Sequence, residues 1–325
     1  LSWFLLLRTI RVPKVVIDTE PAAREIANMG VLNTPQKELL IVLGGILSAC
    51  WPRELEPDEP IVCDNCDRWN EVQDPFRIHG NTWYVGTRGL TSLLIESDDG
   101  LILIDGGLPQ SARLIDANIR SLGFDTRDVK AILLSHPHYD HAGGLAALQR
   151  FTGAPVFTSE AGREPLSTGR LGEDDPQYVA GSDDGSFPAV RQVIAVGDGE
   201  VVTVGSVDVR AVYTPGHTPG STTWTWQSCA LNSCYDVVYA DSLTAVSAQG
   251  FRFTESGADD ELVASAGIIA DLDCDILLSP HPFFFGMQDK LERLGDGNPF
   301  INNVGCLMYA ESSLQWLEQR VQSER

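Results

Sequence analysis

Positive charge is scarce in this chain: 23 lysines and arginines face 45 aspartates and glutamates, for a formal charge of −22 at neutral pH. A field of that sign repels phosphate backbones and anionic lipid surfaces, which sets nucleic acid aside as a partner. Histidine is scarcer still, with 6 residues in 325. The apolar run from Leu39 to Ala49 is only about half the ~20 residues that a membrane-crossing helix needs, so it does not read as a permanent span. No second CxxC accompanies Cys63 and Cys66, which excludes a zinc ribbon built from two such pairs. Repeats and low-complexity tracts are absent as well, and 43% hydrophobic with 21% charged residues is the composition of a globular chain able to bury a core.

Seven cysteines are present, and their positions carry information. Cys50 stands alone behind the apolar run, whereas Cys63 with Cys66, Cys229 with Cys234, and Cys274 with Cys306 can be grouped as candidate pairs; free buried thiols in a cytosolic enzyme are the plain alternative. From Met29 a short polar opening containing Lys37 leads into the apolar run and then into Leu47-Ser48-Ala49-Cys50, which resembles the lipobox of bacterial lipoproteins. Residues 29–49 are therefore read as a lipoprotein-type signal peptide and Cys50 as the acylated residue. Residues 1–28 are read as an upstream extension from a misplaced start, outside the fold, the alternative being an amphipathic segment packed on the domain. Residues 50–68 are read as a linker and amino-terminal segment, and 69–325 as one domain.

Within that domain, strand-like runs alternate with helical patterns. TSLLIES (91–97) and GLILIDGG (100–107) flank an Asp98-Asp99-Gly100 turn, a hairpin signal. Helices are expected over 111–122, from Gly143-Gly144 through Phe151, over 261–270 and over 306–321. Strands are expected at 130–135, within 201–214, and at 221–228, 236–241 and 274–279. Mixed sheets with helices outside make an α/β sandwich.

The strand at 130–135 runs straight into His136-Pro137-His138-Tyr139-Asp140-His141. In extended chain His136 and His138 point to one side and reach one ion, while Asp140 and His141 are aimed by the following turn at a neighbouring position. His217 in TPGHTPGS and His281 in LLSPHP each follow an apolar strand in a loop held by glycine and proline, where an imidazole is easily fixed for a metal. His79 alone lies apart and reads as an ordinary surface or turn residue.

HPHYDHAGG, the DGG at 105–107, TPGHTPGSTTWTW, YADSLTAVSAQGFRF and CDILLSPHP together resemble the metallo-β-lactamases of subclass B-three, over roughly Trp69 to the carboxyl end. The resemblance implies a four-layer αββα sandwich and two Zn2+ ions, one held by His136, His138 and His217, the other by Asp140, His141 and His281. It places Ser242 where the commoner subclass carries a zinc-binding cysteine, and His136 where the monozinc subclass carries asparagine. It makes Ser242 and Thr244, with Ser221 beside the His217 loop, candidate substrate contacts. Pairs resembling Cys229–Cys234 and Cys274–Cys306 occur in that family; Cys63–Cys66 is less familiar and is read as a structural disulfide.

The implied activity is opening of the β-lactam ring by a dizinc-bound hydroxide, with Asp140 binding the second zinc and orienting the hydroxide, in a monomeric antibiotic-resistance hydrolase acting on small molecules. Asp105 is a candidate for fixing a ligand histidine through its other ring nitrogen. The expected location is the periplasm of a Gram-negative bacterium, with an outer-membrane lipid anchor. The same scaffold resembles thiolesterases of the glyoxalase type, lactonases and ribonuclease-type phosphodiesterases, many of which bridge their metals with an aspartate; Asp241 is the residue able to do so here, which keeps the broader hydrolase alternative open. A non-catalytic zinc-binding lipoprotein is the remote alternative.

Overall fold

The computed structural model describes residues 14–16, 54–231, 233–295 and 297–325. Residues 29–49, read as a signal peptide, and Cys50 lie outside the described residues. In chain order the strands are β1 (Lys14–Val16), β2 (Phe76–His79), β3 (Thr82–Tyr84), β4 (Leu93–Ser97), β5 (Gly100–Ile104), β6 (Val129–Leu133), β7 (Val156–Ser159), β8 (Val193–Val196), β9 (Val201–Val204), β10 (Val207–Tyr213), β11 (Thr222–Ala230), β12 (Ser233–Tyr239) and β13 (Ile276–Leu278). Among the described residues they form two sheets, β2-β3-β4-β5-β6-β7-β8 and β1-β9-β10-β11-β12-β13.

The layering follows from side-chain alternation. Along β4 and β5 both sets of side chains are apolar: Leu93, Ile95, Ile102 and Ile104 enter one core, and Leu94, Leu101 and Leu103 enter another. Strands buried on both faces lie inside a layered structure rather than at its surface. The first core also takes Val202, Val209, Trp224 and Val237 from the second sheet, together with Leu262 and Ile269 of the helix Ala258–Ala270 and Leu317 of the helix Gly305–Ser323. The second core is closed by Ala112, Ile115 and Ile119 of the helix Ser111–Ser121 and by Leu145 and Leu148 of the helix Leu145–Thr152. Helix, sheet, sheet and helix are thus stacked in a single αββα sandwich.

Several boundaries differ from the sequence reading, each for a local reason. Lys14–Val16, expected outside the fold, is a parallel edge strand on β9 in the register Lys14 with Val201. The stretch read as a linker is partly docked: Leu55 is buried in the second core, Asp58 pairs with Arg150 at 2.9 Å, and Gln110 exchanges hydrogen bonds with the backbone of Ile61. The helix expected from Glu261 begins at Ala258, because Asp259, Asp260 and Glu261 fill the first turn, where the helix dipole favours negative charge. β2, β3, β7, β8 and the helix Glu160–Thr168 were not anticipated; four of these are strands of three or four residues, too short for a periodicity to register.

The carboxyl-terminal helix is clamped by charge. The Glu324 carboxylate, nearly buried, accepts from the backbone N–H groups of Phe253 and Thr254, the Thr254 hydroxyl and Arg320 Nε at 2.9–3.1 Å. Burial alone raises its pKa, but these donors outweigh it and bring the value down to about 2. A folded-state pKa below the unfolded one stabilises the fold above the unfolded value and loses that contribution as pH falls toward the folded value. Glu324→Ala is therefore expected to cost on the order of 2 kcal/mol at pH 7, the difference fading between about pH 4.5 and pH 2. Urea unfolding midpoints of both proteins across that range measure it; a pH-independent difference contradicts the assignment.

Candidate metal centre

The chemistry-bearing residues gather at the carboxyl ends of strands. β6 ends at Leu133 and releases Ser135, His136 and His138; β10 and β11 are joined by the turn that carries His217; β12 leads to Asp241 and Ser242; β13 leads to His281. Backbone contact locks the first of these loops. Gly106 N–H donates to His141 O at 2.8 Å and Gly144 N–H to Gly107 O at 3.1 Å, and a Cβ on Gly144 would stand 2.2 Å from Gly106 O. Only glycine allows the DGG turn and the Gly143-Gly144 turn to meet this closely. From the second sheet, Trp224 Nε1 donates to Leu134 O at 2.9 Å, bracing the strand end just before His136.

His136, His138 and His217 offer ligand atoms that all lie within 4.8 Å of one another, and so do His136, Asp140 and His141. The His136 ring centroid stands 4.8 Å from that of His138, 4.7 Å from His217 and 4.4 Å from His141. His281 completes the second group: its Nε2 is 3.4 Å from Asp140 Oδ2, which is also 3.3 Å from His141 Nε2, and its ring lies 5.0 Å from that of His141. The six side chains named from three separate loops therefore share one cluster, five of them buried and His281 half-buried.

Outer contacts decide which ring nitrogen each histidine presents. His136 Nδ1 donates to Asp241 Oδ1 at 2.7 Å, His217 Nδ1 to the Thr244 carbonyl at 2.8 Å, and His281 Nδ1 to the Gly89 carbonyl at 3.4 Å; His141 Nδ1 faces Asp105 Oδ2 at 3.7 Å. These leave Nε2 bare. His138 is reversed, with Nε2 toward the Asp175 carboxylate at 3.2 Å. Burial, with the crowding of His141, His217 and His138, holds His136 well below its usual pKa, and burial brings His217 and His281 down to about 4. Neutral imidazoles with free lone pairs are what a metal ion requires. His141 differs: burial depresses its pKa, and the carboxylates of Asp140, Asp105 and Asp241 more than offset that.

A metal fits on a further observation. Both ring nitrogens of His141, Asp241 Oδ2 and the Ser242 hydroxyl are buried without a hydrogen-bond partner among the described residues. Unpaired buried polar atoms cost about 1–3 kcal/mol each, and cations with their water are the natural complement to such a donor set.

Asp105 Oδ2 lies 3.7 Å from His141 Nδ1, while its hydrogen bonds go to Ser135 and Tyr239. It accepts from Ser135 N at 2.8 Å, Ser135 Oγ at 2.7 Å and Tyr239 Oη at 2.7 Å, and burial lifts its pKa to about 6. Its φ of 59° is unusual for a residue other than glycine and lies beside the site. Asp241, whose role the sequence left open, is the partner of His136. Ser221, 1% exposed, turns its hydroxyl into the His217 loop, where it accepts from Thr218 N–H at 3.2 Å and bonds the Thr218 hydroxyl at 3.1 Å, and it also reaches the Asp241 carboxylate. Thr244 is half-buried, with Oγ1 3.0 Å from His217 Nδ1. His79 is half-buried rather than a surface residue; its Nδ1 bonds Ser228 O at 3.1 Å and its ring meets Tyr235 edge-on, joining the two sheets. Cys63–Cys66, Cys229–Cys234 and Cys274–Cys306 are disulfide-bonded.

Asp175 and Trp69 were missed. Trp69 packs its ring 5.4 Å from that of His281; neither residue lies in a motif, and no signal in a single sequence singles them out. One cavity of about 500 Å³ has His138, Tyr139, Leu171 and Gln177 in its wall. Another, of about 560 Å³, is walled by Trp69, Gly89, Pro282 and Phe283; the rings of Trp69 and Phe283 lie 5.4 and 5.8 Å from that of His281.

The sequence profile of the metallo-beta-lactamase superfamily matches residues 85–281, a span that holds all six clustered side chains. The chain belongs to the metallo-beta-lactamase superfamily. Among solved structures of the superfamily, the Rm3 metallo-beta-lactamase is 44% identical with a TM-score of 0.78, covering 81% of this chain and 99% of that one. MEM-A1, a subclass B3 metallo-beta-lactamase isolated from a soil metagenome library, is 42% identical with a TM-score of 0.76, covering 79% and 98%. A curated N-acyl homoserine lactonase from Bacillus sp is 28% identical over 151 residues, 39% of this chain and 54% of the relative. The chain spans about half the length of the curated relatives it matches in this way.

Proposed function

We propose that this metallo-beta-lactamase-superfamily hydrolase opens the β-lactam ring of antibiotics at a dizinc site, with His136, His138 and His217 around one ion and Asp140, His141 and His281 around the other. The observation that carries this reading is the convergence of six ligand-type side chains, without a cysteine among them, in a chain 44% identical to the Rm3 metallo-beta-lactamase over 99% of that enzyme and 81% of this chain. When bound, the metals would supply a water whose pKa is lowered toward about 7, together with Lewis acidity toward a carbonyl.

The chain's own residues do the rest. The buried Asp140 carboxyl is held well below the usual carboxylate range, since His141, His281 and His136 outweigh the effect of burial, so it stays ionised and can accept a hydrogen bond from the attacking water. Asp241 and the Thr244 carbonyl fix the rings of His136 and His217. The unpaired Ser242 hydroxyl is free to meet the carboxylate that β-lactams carry or a site water. Trp69 and Phe283 offer apolar walls against which a substrate substituent packs.

The lactonase reading has one observation in its favour, the 28% identity to an N-acyl homoserine lactonase, over a shorter match and at lower identity. Purified full chain, assayed with a chromogenic cephalosporin, an N-acyl homoserine lactone and a glutathione thioester, with and without chelator, separates these. Chelator-sensitive cephalosporin opening is expected, at least a hundredfold above the chelated control; turnover of the lactone or thioester alone overturns it.

Export to the periplasm as a lipoprotein belongs to the same proposal. Three disulfides suit an oxidising compartment, and Cys50 follows a lipobox-like sequence. Mass spectrometry of membrane fractions should find acylated Cys50, and an intact peptide spanning residues 49 and 50 of the mature protein ends that part.

A further inference from the structure

Between the helix Glu160–Thr168 and β8 the chain has no regular secondary structure and no motif, yet three consecutive residues there each grip the metal centre or its neighbour. Asp175, 4% exposed, sets both carboxylate oxygens 3.2 Å from His138 Nε2. The carbonyl of Pro176 accepts from Ala248 N–H at 2.9 Å, tying the strap to the loop that carries Ser242 and Thr244. Gln177 donates its backbone N–H to Asp175 Oδ1 at 2.8 Å and places its side-chain amide nitrogen 3.3 Å from His138 Nδ1.

These contacts select one tautomer. An ionised carboxylate has only acceptors, so the hydrogen of a neutral imidazole must sit on Nε2; an amide NH2 has only donors, so Nδ1 must keep its single lone pair, which Gln177 yields when an ion binds there. Both neighbours of His138 demand the same arrangement, the reverse of the one that Asp241 and the Thr244 carbonyl impose on His136 and His217. A ring whose outer nitrogen lacks a partner can take the other tautomer or turn away, and ligand binding must then pay for its ordering.

The geometry points to Asp175 as a positioning residue that holds His138 with Nδ1 toward the position shared with His136 and His217, and thereby sets how tightly that position retains its ion. The inference rests on the dizinc reading above and deepens it: the affinity of one metal position depends on a residue of a loop that supplies no ligand.

The test is metal retention, measured without substrate. Asp175→Asn keeps the shape of the side chain but can offer an amide N–H to Nε2, which favours the Nδ1–H tautomer; Asp175→Ala removes the partner altogether. Zinc competition against a chelator on the wild-type chain should find two equivalents. In Asp175→Asn one equivalent should bind about 10–100-fold more weakly and the other as before, with the cobalt(II) absorption spectrum altered and the thermal unfolding of the metal-free protein little changed. Two equivalents at wild-type affinity in Asp175→Asn overturn the inference, as does a uniform weakening of both that tracks a drop in metal-free stability. Wild-type chain that takes up no pair of ions overturns the dizinc reading itself, a result visible before any variant is made.

Discussion

Asp140→Ala is expected to lower kcat/KM for a chromogenic cephalosporin by on the order of a thousandfold. The carboxylate stands 3.3 Å from His141 Nε2 and 3.4 Å from His281 Nε2 and is 7% exposed, so no water takes its place without rearrangement. On the proposed dizinc reading, alanine removes a metal-ligand oxygen and the acceptor that orients the attacking water in one change. Asp140→Asn should recover little, because the amide lacks the charge that offsets the cation. Steady-state kinetics at saturating zinc decide the matter, and a loss smaller than tenfold removes Asp140 from the reaction.

The second large effect is on folding. Trp224 is wholly buried on β11, between the sheets, and its indole N–H satisfies the carbonyl of Leu134, two residues before His136. Trp224→Ala should cost about 3–5 kcal/mol through lost burial and the cavity left behind. Trp224→Phe keeps most of the volume but strands that carbonyl, for a smaller loss of about 1–3 kcal/mol. Urea unfolding gives both values; a loss below 1 kcal/mol for alanine means that the sheets close over the gap.

Some of this molecule was legible before any coordinates. The β4–β5 hairpin is announced by a two-residue turn between apolar runs, and the helix Ser111–Ser121 by its stripe of Leu114, Ile115 and Ile119, because local spacing alone produces those signals. The cluster 136–141 is likewise local, and histidine is so rare in the chain that His217 and His281 stand out in their glycine- and proline-bounded loops. Which way the Ser221 hydroxyl turns was not legible from its nearness to His217 in sequence; it bonds the backbone N–H and the hydroxyl of Thr218 within its own turn. The edge strand Lys14–Val16 could not be read at all, since three residues carry no period and their partner lies at Val201–Thr203.

What the sequence by itself determined is the kind of chemistry: imidazoles and a carboxylate at metal-ligand spacing, within a chain whose apolar runs demand a layered core. Tertiary structure alone decided the wiring behind that chemistry. Asp241 lies 105 residues from His136, Asp175 lies 37 from His138 and Gly89 lies 192 from His281. A hydrogen bond across such distances leaves no trace in spacing, because it depends on where two sheets bring their strand ends together.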